Sequence, residues 1–266
     1  MLEENKIING LWIGSSLSPL ELLTIHSFTE HGHDFHLWVY GELNVSLPKN
    51  VFLKDANTII PEAQVFRKKL ADPKLGIGKG SFGSPFSDLF RYKLLYEKGG
   101  WWVDMDVTCL KPFNFSEPYF FRSHLLLPMV GNIMKVPKHS ELMRQAYQLT
   151  AELCNENTED WLLPNKTLNS VVKKLGLTGY IQDERGNHDW WEKIEPFLLK
   201  NTGVPNDWFF IHWMNEEWRR RGISKLGFNA NSSLVKLFQE YNITVSLKNR
   251  RWPDWLSRLR HKMRFL

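Results

Sequence analysis

SDLFRYKLLYEKGGWWVDMDVTCLKP, residues 87–112, is the stretch of this 266-residue chain that decides the fold. Its first part predicts a helix with a buried apolar side. Gly99 and Gly100 are expected to end that helix, because glycine adopts positive φ readily. The apolar run after them predicts a strand over residues 101–107. A helix, a glycine stop and a strand that carries acidic residues therefore form one predicted unit.

The acidic residues of this unit are Asp104 and Asp106, separated by Met105. Side chains at i and i+2 of a strand point to the same face, so both carboxylates, with Trp102, are expected on one face. Two hard oxygen ligands held together suit Mg²⁺ or Mn²⁺. An isolated D-x-D pair is common by chance, so the chemistry depends on the whole unit.

The N-terminal part of the chain predicts an α/β fold. Residues 7–13 form an apolar strand pattern, and strands are also predicted over 36–40 and 51–53. Ser18, Pro19 and Glu21 are typical of a capped helix start, and that helix is expected over 19–31. Strand, helix and strand with short links are the opening of a βαβ-type nucleotide-binding half.

Composition indicates an ordinary soluble globular protein, with 42% hydrophobic and 24% charged residues. The two cysteines, Cys109 and Cys154, have no metal-site spacing and no disulfide framework, which predicts a reducing, cytoplasmic environment. The N-terminal residues lack the pattern of a signal peptide, and no apolar run is long enough for a transmembrane helix.

Basic charge is concentrated in a C-terminal tail. The net charge is +5, but residues 248–266 carry +6 and the preceding residues −1. We therefore predict a domain over 1–247 and a basic amphipathic tail helix over 248–266. The tail is expected to bind an anionic membrane surface at the inner face of the cytoplasmic membrane, and no nucleic-acid partner is expected. The alternative is a helix packed on the domain. Its apolar positions are Trp252, Trp255, Leu256, Leu259, Met263 and Leu266.

Two other clusters have only weak functional patterns. The histidines between residues 26 and 36 have spacings that fit no compact metal-ligand set, and a helix C-terminus favours histidine for structural reasons. A glycine-rich segment is predicted to be a mobile loop near the site, since it does not directly follow a strand. Its glycines are Gly76, Gly78, Gly80 and Gly83.

The extended pattern S-D-x-x-R-Y-x-x-L-Y-x-x-G-G-x-x-x-D-x-D, beginning at Ser87, resembles the DXD-containing sugar-binding region of family 32-type glycosyltransferases. Their relatives include α1,4-galactosyltransferases, initiating mannosyltransferases and clostridial glucosylating toxins. The resemblance implies a GT-A-type, Rossmann-like nucleotide-sugar-binding domain with a mixed central sheet. It also implies transfer of a sugar from a nucleotide-sugar with retention of configuration.

The resemblance also implies roles for individual residues. Asp88, Arg91, Asp104 and Asp106 match the catalytic positions of the family. Asp88 and Arg91 correspond to the residues that hold donor-sugar hydroxyls and the diphosphate side. Asp106 would ligate Mn²⁺ or Mg²⁺, and Asp104 would contact the ribose, the sugar or the metal. Ser87 matches a flanking donor contact.

Further donor contacts are implied outside the central acidic pair. Trp12, Ile13 and Gly14 match the W-I-G at the end of the first strand, where the aromatic ring stacks on the nucleotide base; a core tryptophan is the alternative. Trp102 also matches a donor contact, although relatives usually have Ile or Tyr there. Asn132 matches a polar position under the donor sugar.

The segment His212–Trp218 resembles the H-x-W-x-x-S-W closure over the diphosphate. His212 is therefore a candidate metal or phosphate ligand, with a structural histidine beside Trp213 as the alternative, and Trp218 is a candidate donor contact. This chain has Glu216 and Glu217 before Trp218 instead of the usual serine. A hydroxyl contact of the relatives is thus absent or replaced by a carboxylate.

These features together predict a metal-dependent retaining hexosyltransferase. The expected donor is UDP-galactose or UDP-glucose. The expected acceptor is a glycan or lipid-linked molecule in bacterial capsule, lipopolysaccharide or exopolysaccharide synthesis. The alternative is a non-catalytic carbohydrate-binding or membrane-associated scaffold protein that retains the fold. The intact set Asp88, Arg91, Asp104 and Asp106 favours the enzyme.

Overall fold

The computed structural model of the protein describes residues 1–66, 84–182 and 185–248. The predicted glycine-rich loop (Gly76, Gly78, Gly80 and Gly83) and the predicted basic tail helix beyond Lys248 lie outside these residues. In the described parts of the chain, no helix is long and apolar enough to cross a membrane. Cys109 and Cys154 are both free and buried.

The helices of the described residues include those predicted in the first βαβ unit and before the acidic pair. The α-helices are α1 (Pro19–Glu30), α2 (Ser84–Lys98), α3 (Glu141–Leu153), α4 (Leu163–Lys174), α5 (Trp191–Leu199), α6 (Asn215–Arg220) and α7 (Ser233–Glu240). The predicted capping box of α1 is confirmed, because the side chains of Ser18 and Glu21 each accept from a backbone N–H of the first turn. The glycine stop after α2 is confirmed as well: Gly99 and Gly100 have φ of 67° and 82°.

Strands of the described residues form two sheets. The strands are β1 (Ile7–Trp12), β2 (Asp34–Val39), β3 (Val51–Asp55), β4 (Gly100–Val103), β5 (Val107–Cys109), β6 (Phe120–Ser123), β7 (Met129–Val136), β8 (Ile181–Gln182) and β9 (Phe210–His212). The central sheet has the order β3-β2-β1-β4-β7-β6-β8, and the small sheet pairs β5 with β9. Strands β1 to β4 run parallel to one another, whereas β7 is antiparallel to both β4 and β6. The predicted mixed central sheet is therefore confirmed.

Helices cover both faces of the central sheet. One apolar cluster packs α2, α3 and α4 against one face, and it includes Trp102. A second cluster contains Trp101 and residues of α1 on the opposite face. A third cluster joins α1 to α5, α7 and the segment around Trp213. Trp101 and Trp102 thus alternate between faces, as a strand requires.

The prediction of one continuous strand over 101–107 is wrong. Strand β4 ends at Val103, Asp104 to Asp106 form a turn, and β5 begins at Val107 in the other sheet. The backbone N–H of Asp104 donates to the Asn132 carbonyl (2.8 Å), which ties the start of the turn to β7 of the central sheet. The two aspartates are therefore brought together by a turn between two sheets, and strand alternation is not the cause.

Some elements have no counterpart in the predicted pattern. The sequence pattern does not predict helices α5 and α7, although their apolar side chains build the third cluster. The apolar run 208–211 predicts a last strand, and the structure has β9 over Phe210–His212. Apolar spacing predicts a short amphipathic helix over 168–175, whereas α4 begins five residues earlier, at Leu163, because its first turn is polar and carries Pro164.

Candidate active site

The candidate site lies at the edge of the central sheet where the parallel strands end. Strand β1 pairs in parallel with β4 and with β2, so the carboxyl end of each opens on the same edge. Open α/β sheets bind ligands outside the carboxyl ends of their strands. Trp12 is the last residue of β1, and Asp104 directly follows β4.

On one side of the site, a buried arginine bridges two carboxylates. Arg91 donates from Nη1 to Asp88 Oδ1 and from Nη2 to Asp104 Oδ1, both at 2.6 Å. Asp88 and Arg91 are three residues apart on α2 and share one face of the helix. We call Asp88, Arg91 and Asp104 the sugar-side cluster, after the role that the resemblance implies for Asp88 and Arg91. Burial raises the pKa of Asp88 to about 7, against the lowering effect of Arg91.

Trp102 supports the sugar-side cluster from inside the core. It is only 1% exposed, and its indole N–H donates to Asp104 Oδ1 (2.8 Å). The guanidinium of Arg91 lies 5.1 Å from the centre of the Trp102 ring. Oδ1 of Asp104 therefore accepts the hydrogen bonds of both Arg91 and Trp102. The Asp104 side chain is 31% exposed at the site.

Strand β7 forms the floor beside this cluster. A side chain at Gly131 would meet Arg91 Nη1 at 2.6 Å, so glycine lets β7 approach the guanidinium. The Gly131 backbone N–H donates to Asn165 Oδ1 on α4 (2.9 Å), which fixes this part of the strand. The next residue, Asn132, is 7% exposed, and its Oδ1 accepts from Arg122 Nη1 (3.2 Å).

Asp106 starts a second group of polar residues on the opposite side of the turn. Its Oδ2 accepts from the backbone N–H of Asn215 (2.8 Å), at the start of α6. The same oxygen lies 3.4 Å from His212 Nε2. Burial alone would raise the pKa of Asp106, but His212 and the Asn215 N–H hold it below its ordinary value. Asp106 is therefore a carboxylate at neutral pH.

His212 lies between two carboxylates. Its Nδ1 is 2.5 Å from Asp189 Oδ1, and its Nε2 faces Asp106. Burial would lower the pKa of His212, but Asp189 and Asp106 raise it to about 10. We call Asp106, Asp189, His212 and Asn215 the C-terminal cluster.

Asp189 is a site residue that sequence reasoning did not single out. Arg122, on β6, holds it with two hydrogen bonds: Nη1 to Oδ2 (2.9 Å) and Nη2 to Oδ1 (2.6 Å). His124 Nε2 lies 3.3 Å from Asp189 Oδ2. Burial would raise the pKa of Asp189, but Arg122 and His212 hold it well below its ordinary value. The only sequence signal was an acid in a polar loop, G-N-H-D, which has many structural uses.

The remaining predicted donor contacts have different environments. Trp12 is half-buried, and its indole N–H donates to the Ser16 carbonyl (3.0 Å). Ile13 is also half-buried, and Gly14 is exposed. Ser87 lies on α2 one residue before Asp88. Trp218 is 1% exposed and packs in the third cluster, 6.4 Å from the ring of Phe228.

The C-terminal cluster contains oxygen and nitrogen atoms of the kinds that bind divalent cations. The described residues contain no preformed group of three or more His, Cys, Asp or Glu ligands. However, Asn215 Oδ1 is buried and has no hydrogen-bond donor within the described part of the chain. It belongs to the residue whose backbone N–H donates to Asp106, and a buried amide oxygen without a hydrogen-bond donor is the kind of hard ligand that a divalent cation takes. The sequence pattern did not predict Asn215 as a ligand.

Comparison with known proteins identifies the class of the site. Residues 35–121 match the model of the family described as "Glycosyltransferase sugar-binding region containing DXD motif". This stretch contains the sugar-side cluster and Asp106. The match confirms the resemblance predicted from the sequence, and the protein is a glycosyltransferase enzyme with a DXD motif. The strand order, with antiparallel β7 next to β4, agrees with the predicted GT-A-type architecture.

Solved structures give weaker likenesses. The chain is similar to one titled "PaToxG Glycosyltransferase", with 14% identity and a TM-score of 0.48, covering 64% of this chain and 68% of that chain. It is also similar to a structure described as that of a transferase mutant, with 10% identity and a TM-score of 0.41, covering 69% of this chain and 88% of that chain. Likenesses of this size carry no argument about function. No curated protein matches the sequence significantly.

Proposed function

We propose that the protein is a metal-dependent retaining hexosyltransferase that takes its sugar from a nucleotide-sugar, with UDP-galactose or UDP-glucose as the favoured donor. The observation that carries this proposal is the buried bridge of Arg91 between Asp88 and Asp104, two residues before Asp106 in the chain. Burying ionic groups costs desolvation free energy, so their presence here indicates a role in function. Carboxylates with shifted pKa values beside an open sheet edge are typical of a functional site.

The sugar-side cluster has the chemistry to hold a hexose. Asp88 and Asp104 supply acceptors for sugar hydroxyls, and Arg91 fixes both carboxylates in one orientation. Carboxylates in this position also stabilise positive charge at the anomeric carbon as its bond to the leaving group breaks. No side chain is singled out as a covalent nucleophile, so the proposal names retention without choosing between a front-face and a double-displacement route.

The C-terminal cluster has the chemistry to hold the leaving group. As the glycosidic bond breaks, negative charge builds on the diphosphate. Asp106, Asp104, His212 and the amide oxygen of Asn215 are the groups that would hold Mn²⁺ or Mg²⁺ there. The ion, when bound, would neutralise that charge as a Lewis acid. To ligate the ion, His212 Nε2 would have to release its proton; without the ion, the protonated ring places a positive charge beside Asp106.

The position of Trp12 at the end of β1 supports a role in binding the nucleotide base. Its half-buried ring lies at the ligand-binding edge, where an aromatic face stacks on a base. Ile13, Gly14 and Ser87 are proposed to complete the donor pocket. The acceptor, a glycan or glycolipid, and the bacterial surface polymer to which it would belong stay predictions.

Thermal unfolding with candidate donors tests this proposal. We expect UDP-hexoses with Mn²⁺ to raise the melting temperature of the protein more than GDP-sugars or Mn²⁺ alone, because a ligand that binds only the native state stabilises it. Asp106→Asn should remove most of that shift and lower UDP release from the donor by about 100-fold or more. Asp207→Asn, an exposed carboxylate change, is the matched control.

The same measurement separates enzyme from scaffold. If donors raise the melting temperature but no sugar is transferred or hydrolysed, the protein is a binding protein that retains the fold. If no nucleotide-sugar produces a shift and Asp106→Asn behaves like Asp207→Asn, the proposed donor site is wrong.

A membrane location at the inner face of the cytoplasmic membrane is proposed from the sequence of residues 248–266 alone. Basic side chains between regularly spaced tryptophan and leucine residues favour anionic lipid surfaces. Vesicle flotation of the full chain and of a chain ending at Asn249 tests it. Equal flotation of the two would exclude the tail as the anchor.

A further inference from the structure

The loop Gly186–Asp189 contacts His212 from two directions. The side chain of Asn187 is fully buried and pairs with the backbone of His212: Oδ1 accepts from the N–H (2.8 Å), and Nδ2 donates to the carbonyl (3.0 Å). An amide side chain thus takes the place of a neighbouring strand next to β9. On its other edge, His212 lies opposite Val107 of β5. The backbone of His212 is therefore fixed on both sides.

The backbone of this loop has an uncommon conformation. His188 and Asp189 have φ of 52° and 58°, in the left-handed region that residues other than glycine rarely adopt. Two such residues in a row persist only where the surrounding contacts determine them, and such positions are concentrated at functional sites. Here the conformation directs the carboxylate of Asp189 to Nδ1 of His212, at 2.5 Å.

Asp189 is itself prevented from rotating. Its two oxygens take the two-fold hydrogen bond of Arg122, and His124 lies 3.3 Å from Oδ2. Arg122 is 2% exposed and reaches across to Asn132 Oδ1 (3.2 Å), beside the sugar-side cluster. A continuous set of contacts therefore runs from the floor of the sugar side to His212.

These contacts determine which nitrogen of His212 faces the reaction site. An imidazole nitrogen 2.5 Å from a carboxylate oxygen must carry the proton, because two acceptors do not bond to each other. Nδ1–H therefore donates to Asp189, and Nε2 is the atom that faces Asp106. Histidine ligands of metals are commonly oriented in this way by a carboxylate on the other ring nitrogen.

We propose that Asp189 is a positioning residue, which holds Nδ1–H of His212 and thereby directs Nε2 to the place where Asp106 and Asn215 would meet a divalent cation and the donor diphosphate. Asn187 holds the backbone of His212, and Asp189 holds its imidazole ring. This inference rests on the proposed function, since it assigns a role within the same site. It explains why an acid with a largely buried side chain occupies a left-handed position that glycine would occupy without strain.

Two substitutions test the role of the carboxylate. Asp189→Asn keeps the shape and a residue that tolerates positive φ, and Asp189→Gly removes the side chain without straining the backbone. Isothermal titration of Mn²⁺ into protein saturated with UDP should give a dissociation constant about 10- to 100-fold weaker for both variants. Asp207→Asn should match the unsubstituted protein. A folded Asp189→Asn variant with unchanged Mn²⁺ affinity would overturn the proposal.

A double-substitution cycle with His212→Ala shows whether Asp189 acts through His212. If it does, Asp189→Asn has no further effect on Mn²⁺ affinity in the His212→Ala background. Fully additive losses would mean that Asp189 acts on the site independently, which contradicts a positioning role. Transfer kinetics provide a second readout: the variants should raise KM for the donor together with the Mn²⁺ requirement.

Nitrogen NMR of the unsubstituted protein, without metal or donor, tests the same geometry even where a variant fails to fold. We expect the Nδ1 proton of His212 to be present and shifted to low field by the short hydrogen bond to Asp189. An Nδ1 without a proton would overturn the inference. In contrast, a protein with the expected Nδ1 proton and no Mn²⁺ or UDP binding would reject the proposed function and leave the contact intact.

Discussion

The sugar-side cluster and the C-terminal cluster are built in different ways. Asp88, Arg91 and Asp104 come from one helix and the strand after it, and Trp102 packs them against the core. Asp106, Asp189 and His212 come from segments far apart in the sequence, which short elements hold together. The first cluster is therefore part of the scaffold, whereas the second exists only after the C-terminal segments have packed.

This difference separates the two tasks of a transferase site. A rigid pocket distinguishes one sugar from another, because its polar groups do not adjust to a wrong hydroxyl pattern. A site that closes over a diphosphate must also let the product leave. Strand β9 has three residues and α6 has six, so the position of the C-terminal cluster depends on side-chain contacts from Arg122 and Asn187 and on the third apolar cluster.

The largest expected effect is on the sugar-side cluster. Arg91→Met would leave Asp88 and Asp104 without their shared cation, and Arg91 is 3% exposed, so water does not replace it. We expect the free energy of unfolding to fall by about 3–5 kcal/mol. Urea unfolding followed by circular dichroism measures this change, and transfer activity should be lost as well.

An exposed ion pair is the matched control for that measurement. Arg144 pairs with Glu141 three residues earlier on α3, and both side chains are largely in solvent. Arg144→Met should leave the unfolding midpoint almost unchanged. If Arg91→Met also leaves it unchanged, the sugar-side cluster is not part of the scaffold and the contrast between the clusters is wrong.

An intermediate effect is expected from acid, acting on His33, which joins Asn5 near the N-terminus to Phe113 after β5. His33 is fully buried: Nδ1 contacts the Asn5 carbonyl (2.9 Å), and Nε2 accepts from the Phe113 N–H (3.0 Å), so the ring is neutral. Burial lowers the pKa of His33 to about 4. The unfolded chain therefore binds a proton more readily, and stability present above pH 6.5 is lost as the pH falls toward 4, by about 3 kcal/mol.

Comparing the protein with its His33→Gln variant separates the effect of His33 on the pH dependence of stability from the effect of the carboxylates. The difference in unfolding free energy between the two proteins should shrink as the pH falls from 6.5 to about 4, because only the histidine is penalised by protonation. A difference that stays constant over that range would mean that the pKa of His33 in the native protein is not lowered, which contradicts the prediction.

The smallest expected effect concerns the approach of β7 to the sugar-side cluster. In Gly131→Ala the new Cβ would lie 2.6 Å from Arg91 Nη1, so the guanidinium must move away from Asp88 and Asp104. We expect a loss of about 1–3 kcal/mol in stability and a raised KM for the donor. The loss of Mn²⁺ affinity should be smaller than in the Asp189 variants, because Arg91 contacts Asp104, which is one of the four groups proposed to hold the ion. Gly179→Ala, where nothing lies within 4 Å, is the control. Equal weakening of Mn²⁺ binding would show that the two clusters are not independent.

Sequence reasoning succeeded where the determining contacts are local. The capping box of α1 and the glycine stop after α2 each depend on a few adjacent residues, and both are present. The pair Asp88 and Arg91 follows from helical spacing. The prediction failed over 101–107, because an apolar period of two continues through the turn, although the chain changes from one sheet to the other at Asp104.

The C-terminal cluster shows most clearly which contacts cannot be predicted from the sequence. Nothing near Asp189 in the sequence indicates that its carboxylate meets Arg122 of β6 and His212 of β9. Asn215 became a candidate only because the packing of α6 against the turn leaves its oxygen buried and unpartnered.

By itself, the sequence determined the α/β class, the helix, glycine stop and acidic pair of residues 87–106, and the bridge-forming Asp88 and Arg91. These depend on helical and strand periods and on the backbone freedom of glycine, which act over a few residues. Only the tertiary structure decided how the acidic pair is oriented and which distant side chains hold His212. Such contacts join remote segments, as Asp106 and Asn215 are 109 residues apart, and they form when burial of apolar surface brings the segments together.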